Sequence, residues 1–218
     1  MRNDKTNKFR SRKVISVVEK LPYFTIGSLK GIEKDKNYLK ILLSRYSKKG
    51  VIIRLKKGLY VTKDFVTDIQ AKGIFSFYLE FLANIIYSPS YLSLEYVLYK
   101  HNILTEVPVN FTLITTNKTA KFTNEVGNFF YHKIKDDLFA GFKIFEKGEF
   151  SIYEATKAKA LFDTLYLREN LLVDKKAVEE LRFNIENLNK KDKKEFEKYV
   201  ALENSKKMKG IFNWLFKI

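Results

Sequence analysis

The chain has 218 residues, 45% of them hydrophobic and 15% aromatic, with no cysteine and a formal net charge of +16. Such a composition supports a sizeable core and excludes a disordered polyelectrolyte, a disulfide framework and a thiolate metal site. The most apolar stretch, IFSFYLEFLANIIY (74–87), is interrupted by Glu80 and Asn84 and is too short to span a bilayer, and the N-terminus has no apolar signal region; the expected location is cytoplasmic, with no membrane partner.

The charge is unevenly spread. Residues 1–63 carry 18 Lys and Arg against 4 Asp and Glu, whereas residues 64–218 carry 23 against 21. Charge confined to one module points to a polyanionic partner for that module. Along this module, FRSRKVISVVEKL (9–21) places Val14, Val17, Val18 and Leu21 on one helical stripe. Thr25 is an N-cap for a short helix ending near Gly31. KDKNYLKILLSRYSKKG then sets Leu39, Leu42, Leu43 and Tyr46 at i, i+3, i+4, i+7, with Gly50 as the stop. VIIRL and GLYVT follow as two β-rich runs around a Lys-Lys-Gly turn.

Three helices and a hairpin in that order predict a winged helix-turn-helix over residues 1–66. Its third helix would enter the major groove, presenting Lys36, Asn37, Lys40, Ser44, Ser47 and Lys48. Arg54, Lys56 and Lys57 on the hairpin would meet backbone phosphates. Arg10, Arg12 and Lys13 are weaker candidates, since exposed helices often carry such residues.

Past Phe65 the pattern is that of an ordinary near-neutral domain, residues 67–218. Two apolar helices are predicted near 69–87 and 91–103, then strands over 109–116, 129–134, 142–146 and 150–154. A helix follows over about 155–169, and two Lys- and Glu-rich helices near 174–187 and 191–208 lead to the tail GIFNWLFKI. The fold class is therefore α+β: an N-terminal winged helix-turn-helix, then a mixed α/β domain ending in helices. The tail reads as a hook that docks on the domain or a partner, because nine residues with one clear charge hold a membrane weakly.

Several stretches carry a family resemblance. GVIIRLKKGLYV is similar to the wing segment of the AbiEi family, the antitoxin and transcriptional-regulator components of AbiE-type (type IV) toxin–antitoxin systems. YLSLEYVLYKHNILTEVP (91–108) resembles that family's Tyr-Ile-Ser-x-x-Ser/Ala-Leu helix, and VNFTLITTNKTAKFTNEVGNFFYHKI its β region. EATKAKALFDTLYL resembles its Ala-Thr-x-x-(Glu/Lys)-Ala-Leu-x-Asp motif, with Asp163 in the aspartate place. Two positions depart from the pattern: Lys159 stands where an acidic residue or arginine is frequent, and Tyr96 where a small residue is usual. The resemblance implies a winged helix that binds inverted repeats in double-stranded DNA of its own promoter. It also implies a C-terminal domain that neutralises a cognate nucleotidyltransferase-like toxin. It supplies no catalytic residue, and no cofactor is expected.

Enzymatic chemistry finds little to stand on. His101 and His132 lie in no metal-binding motif, and there is no Walker loop, G-x-G-x-x-G or G-x-S-x-G. Gly27-Ser28 resembles the opening of a nucleotidyltransferase signature, but Glu33 and Asp35 follow too soon to be its metal-binding pair. Asp163 reads as a structural carboxylate, Asp136 and Asp137 as a turn or N-cap, and the aromatic rows at 75–87 and 91–99 as core. No metal site is expected. Two rival readings stay open: a nucleic-acid-processing enzyme delivered by its basic module, and a winged-helix regulator with no toxin.

Overall fold

The computed structural model describes the backbone of residues 2–216 and the side chains of residues 9–216. The chain is a mixed α+β protein made of two compact units. The first runs to Leu79 and includes Phe122–Gly127; the second comprises Glu80–Lys121 and the chain from Asn128 onward.

The first unit opens with helix α1 (Arg2–Val18). Its inward face is Ser11, Val14, Ile15 and Val18, an i, i+3, i+4, i+7 set. Val17, expected on that face, is 42% exposed, because at 3.6 residues per turn it lies a hundred degrees away from Val18. Strand β1 (Phe24–Thr25) follows, then a single 3-10 turn, Gly27–Leu29, where a short helix was expected. The Thr25 hydroxyl accepts from the Ser28 N–H (3.1 Å) and the Ser28 hydroxyl from the Thr25 N–H (3.2 Å), the reciprocal pattern of a capping box. Thr25 is also held in a strand opposite Leu59, and Gly27 and Gly31 favour no helix, so one turn is all that forms.

Helix α2 (Lys36–Lys48) is capped by Asp35, whose carboxylate accepts from the N–H groups of Asn37 and Tyr38, both at 3.0 Å. Strands β2 (Ile52–Lys56) and β3 (Leu59–Thr62) form a hairpin that turns at Lys57-Gly58, where Gly58 takes φ +84°. The sheet order is β1-β3-β2. Val14, Val18, Phe24, Leu29, Leu39, Leu42, Leu43 and Ile52 make one buried cluster.

The compact unit runs past the boundary at residue 66 read from charge and pattern. Helix α3 (Lys63–Ala71), capped by Thr62, buries Phe65, Val66 and Ile69. Gly73 (φ +70°) breaks the predicted continuous helix, and α4 (Phe75–Ile86) begins after it. Tyr78 of α4 donates its hydroxyl to the Pro22 carbonyl at 2.7 Å, and its ring lies 5.5 Å from that of Phe65.

In the second unit the predicted helix over 91–103 divides into strand β4 (Ser90–Leu92) and helix α5 (Leu94–Lys100). Strands β5 (Phe111–Thr115), β7 (Gly127–Lys133), β8 (Phe142–Lys147) and β9 (Phe150–Ala155) continue its sheet in the order β7-β5-β4-β9-β8, while β6 (Ala120–Asn124) falls mostly within the first unit's segment Phe122–Gly127. Strands β5 and β7 pair in parallel, as do β4 and β9. Helix α6 (Lys157–Leu167) is buried on every side from Ala158 to Leu165. Helix α7 (Lys175–Glu179) is short. The predicted helix over 191–208 is two, α8 (Lys190–Glu203) and α9 (Lys206–Phe216), parted at Asn204, which adopts a left-handed conformation at φ +64°. The tail forms α9: Met208, Ile211 and Leu215 are buried and Phe212 stacks on Phe196 at 5.8 Å. Its last two residues lie outside the described residues. No helix among the described residues is long and apolar enough to cross a membrane.

A buried ion pair sits at the centre of this unit. The Lys159 ammonium donates to Asp163 at 2.6 Å, one turn along α6, and both side chains have no solvent exposure. The other carboxylate oxygen accepts from the Ser93 hydroxyl (2.8 Å) and the Tyr91 hydroxyl (3.1 Å). The rings of Phe162 and Tyr199 lie 4.9 and 5.2 Å from the ammonium. Burial pushes the Asp163 carboxyl up and the Lys159 ammonium down from their ordinary values, and each charge opposes the other's shift.

Asp163→Asn leaves a buried ammonium without its counter-charge and is expected to cost about 3–5 kcal/mol in chemical denaturation. Lys159→Met added to it removes the orphaned charge and should restore part of the loss. Equal stability of the single and double variants would show that the orphaned ammonium is not the source of the loss.

Candidate nucleic-acid interface

Between Asp35 and Asp64 the sequence contains nine Lys and Arg and no acidic residue. Among the described residues none of these nine forms an ion pair. Their placement follows from α2. Leu39, Leu42 and Leu43 are 0–1% exposed, and Tyr38 and Tyr46 pack against the same cluster. With that face turned inward, Asn37, Ile41, Ser44 and Lys48 form an outer stripe at i, i+4, i+7, i+11, and all four are exposed.

Of the residues singled out in the sequence, Lys36 and Lys40 are exposed on the flank of this stripe, and Ser47 is half-buried on the same flank. Arg45, exposed and 5.6 Å from the Tyr46 ring, joins the surface although sequence reasoning passed over it. So does Ile41, which is 68% exposed.

On the hairpin, Arg54 and Lys57 are exposed, but Lys56 is half-buried, and that burial lowers the pKa of its ammonium. The alternation of the strand turns Ile53 and Leu55 inward, and an irregularity in pairing between Arg54 and Lys56 breaks it at the tip. One more residue belongs to this hairpin. Asn124 donates its side-chain amide to the Leu55 carbonyl at 3.0 Å, while its own amide oxygen accepts from the Val126 N–H at 2.9 Å. Nothing local in the sequence links positions 69 residues apart.

Arg10 is committed inside the unit. Its Nε donates to Glu33 at 2.8 Å and its guanidinium lies 4.2 Å from the Tyr38 ring centre, tying α1 to the start of α2. Arg12 and Lys13 remain exposed.

The second unit offers other chemistry. Lys100 bridges Glu80 (2.8 Å) and Glu154 (2.5 Å), and the Tyr96 hydroxyl donates to Glu80 at 2.7 Å. A cavity of about 290 Å³ is lined by Glu95, Thr112 and His132 beside Val107 and Pro108. Burial lowers the pKa of His132. A second, of about 330 Å³, is lined by Asn84, Ser90, Phe139, Phe142 and Tyr153. Among the described residues no three His, Asp or Glu side chains gather where they could hold a metal ion. Asp163, which touches Lys159, Tyr91 and Ser93 with no solvent exposure, lies at neither cavity.

Compared with models of protein families and with curated proteins, the chain matches none.

The Arg10–Glu33 contact has a pH signature. The Arg10 hydrogen bond, helped by the Asp35 N–H, holds the Glu33 carboxyl at about 2, below its ordinary 4.5. A carboxylate with a depressed folded-state pKa stabilises fully above the ordinary value, and its contribution disappears as pH falls toward the folded value. Glu33→Gln should therefore be less stable than the parent at neutral pH, with the gap closing between pH 4.5 and 2. Urea melts across that range test this; a gap independent of pH would mean that the ion pair does not set the acid response.

Proposed function

We propose that this chain is a DNA-binding transcriptional autorepressor and the antitoxin of an AbiE-type pair. In this reading its first unit is a winged helix-turn-helix. Helix α2 enters the major groove, and the β2–β3 hairpin lies along the backbone as the wing. The observation that carries the reading is the unopposed cationic surface of α2 and the hairpin, set over a buried leucine face. The order of elements and the β1-β3-β2 sheet suit that assignment. In this reading the exposed Asn37, Ser44 and Lys48 meet base edges, and the exposed Lys36, Lys40, Arg45, Arg54 and Lys57 meet phosphates.

The antitoxin role rests on the succession of AbiEi-like stretches and on one structural link between two of them. Tyr91 and Ser93, at the head of the YLSLEYVLYK stretch, hydrogen-bond to Asp163 in EATKAKALFDTLYL. The two departures from the family pattern are accommodated locally: Lys159 pairs with Asp163, and Tyr96 with Glu80.

Salt titration of duplex binding tests the DNA reading. Arg54→Ala and Lys57→Ala should each reduce the log–log salt slope by about 0.9 and weaken operator and random duplexes alike. Lys56→Ala should do less, because its ammonium is half-buried. Asn37→Ala should cost about 1–3 kcal/mol at the operator alone. Unchanged slopes would remove the wing assignment.

Co-expression with the nucleotidyltransferase-like toxin that this reading requires tests the antitoxin role. The full chain should restore growth, and the Arg54→Ala/Lys57→Ala variant should still do so while losing promoter repression. Absence of rescue by the parent chain would leave a regulator without a toxin.

A further inference from the structure

Ile41 is the one large apolar side chain on the outer stripe of α2. It is 68% exposed, one turn after Asn37 and one turn before Ser44, with Lys40 and Arg45 beside it. Leu39, Leu42 and Leu43 already fill the core face, so Ile41 gains nothing from the interior. A β-branched residue is also a poorer helix former than the Lys, Arg or Gln that suits an exposed position. Its exposure leaves it available for an apolar contact outside the unit, in the middle of a surface otherwise suited to a polyanion.

The major groove of B-form DNA presents one apolar group, the C5 methyl of thymine. Phosphates and the minor groove present none. Double-stranded RNA lacks the methyl, and its major groove is too narrow to admit the helix. We propose that Ile41 packs on a thymine methyl and makes the protein a reader of thymine at that position of its site. The inference rests on the DNA-binding reading above and narrows its ligand from any polyanion to B-form DNA with thymine opposite the second turn of α2. Asn37 and Ser44, on the same stripe, supply hydrogen bonds to neighbouring base edges, and Ile41 supplies the contact that hydrogen bonding cannot make.

The experiment uses the full chain. Duplexes enriched by the parent protein from a random double-stranded library are prepared twice, with thymine and with uracil at every thymine position. The parent should bind the thymine duplex about three- to five-fold more tightly for each methyl contacted, the effect of burying one methyl-sized group. Ile41→Ala and Ile41→Ser, both at an exposed position, should bind the two duplexes equally, at the parent's affinity for the uracil form. Asn37→Ala should weaken binding to both and keep the parent's ratio between them. If the parent binds both duplexes equally, or if Ile41→Ala keeps the parent's ratio, the thymine contact is wrong while DNA binding stands. If no duplex is enriched and neither form is bound, the DNA-binding reading falls and the inference with it.

Discussion

The burial of Leu39, Leu42 and Leu43 fixes the rotation of α2 about its own axis, and the surface described for the first unit depends on it. Each fully buried leucine stabilises by roughly 1.5–3 kcal/mol over its exposed state. Turning the helix by one residue would bring Lys40 toward the cluster and lift Leu39 and Leu42 out of it. Losing two leucines and desolvating an ammonium together exceed any gain from the polar face. Asp35 fixes where the helix begins, and Gly50, at φ +70°, lets the chain leave it. With rotation and start both set, Asn37, Ile41, Ser44 and Lys48 have no direction to take but outward.

The two units use the same residue types in opposite ways. In the second, Lys159 is fully buried and bonded to Asp163, and Lys100 bridges two nearly buried carboxylates. These cations act as internal fasteners, whose removal singly is costly because a buried partner is left behind. In the first unit, Lys36, Lys40, Lys48, Arg54 and Lys57 are exposed and have no acidic neighbour in the intervening sequence. Like charges gathered on one surface repel, and salt screens them only beyond about 10 Å at 0.1 M. A surface of this kind costs stability in the free protein and lowers its energy when a polyanion arrives.

What could be read from sequence alone was whatever rests on local periodicity and turn chemistry. The leucine stripe of α2, its stop at Gly50 and the Lys57-Gly58 hairpin all announce themselves within a few residues. Strands β5, β7, β8 and β9 were legible as β-rich runs. Strand β4 was not, because SYL runs directly into the amphipathic α5 and looks like its first turn. Strand β6 hid in AKFTN, where Lys121 and Thr123 interrupt any apolar run. Val17 was misplaced because a helix stripe admits two neighbouring sets, and only packing decides that Ser11 and Ile15 go inside. The Asn124 clamp and the Tyr91, Ser93 and Asp163 hub join positions about 70 residues apart, which no window along the chain can see. Ile41 was overlooked for a different reason: the stripe of Leu39, Leu42, Leu43 and Tyr46 already left it outside the core, but only the polar residues of the outer face were read as contacts.

The central claim is that duplex DNA docks on α2 and the β2–β3 hairpin. Backbone hydrogen exchange of the full chain, with and without a saturating duplex enriched by the protein itself, tests it most directly. The account predicts added protection over Lys36–Lys48 and around the Lys57-Gly58 turn, with little change in α6 and α8. Protection confined to the second unit, with α2 and the hairpin unaltered, would contradict it.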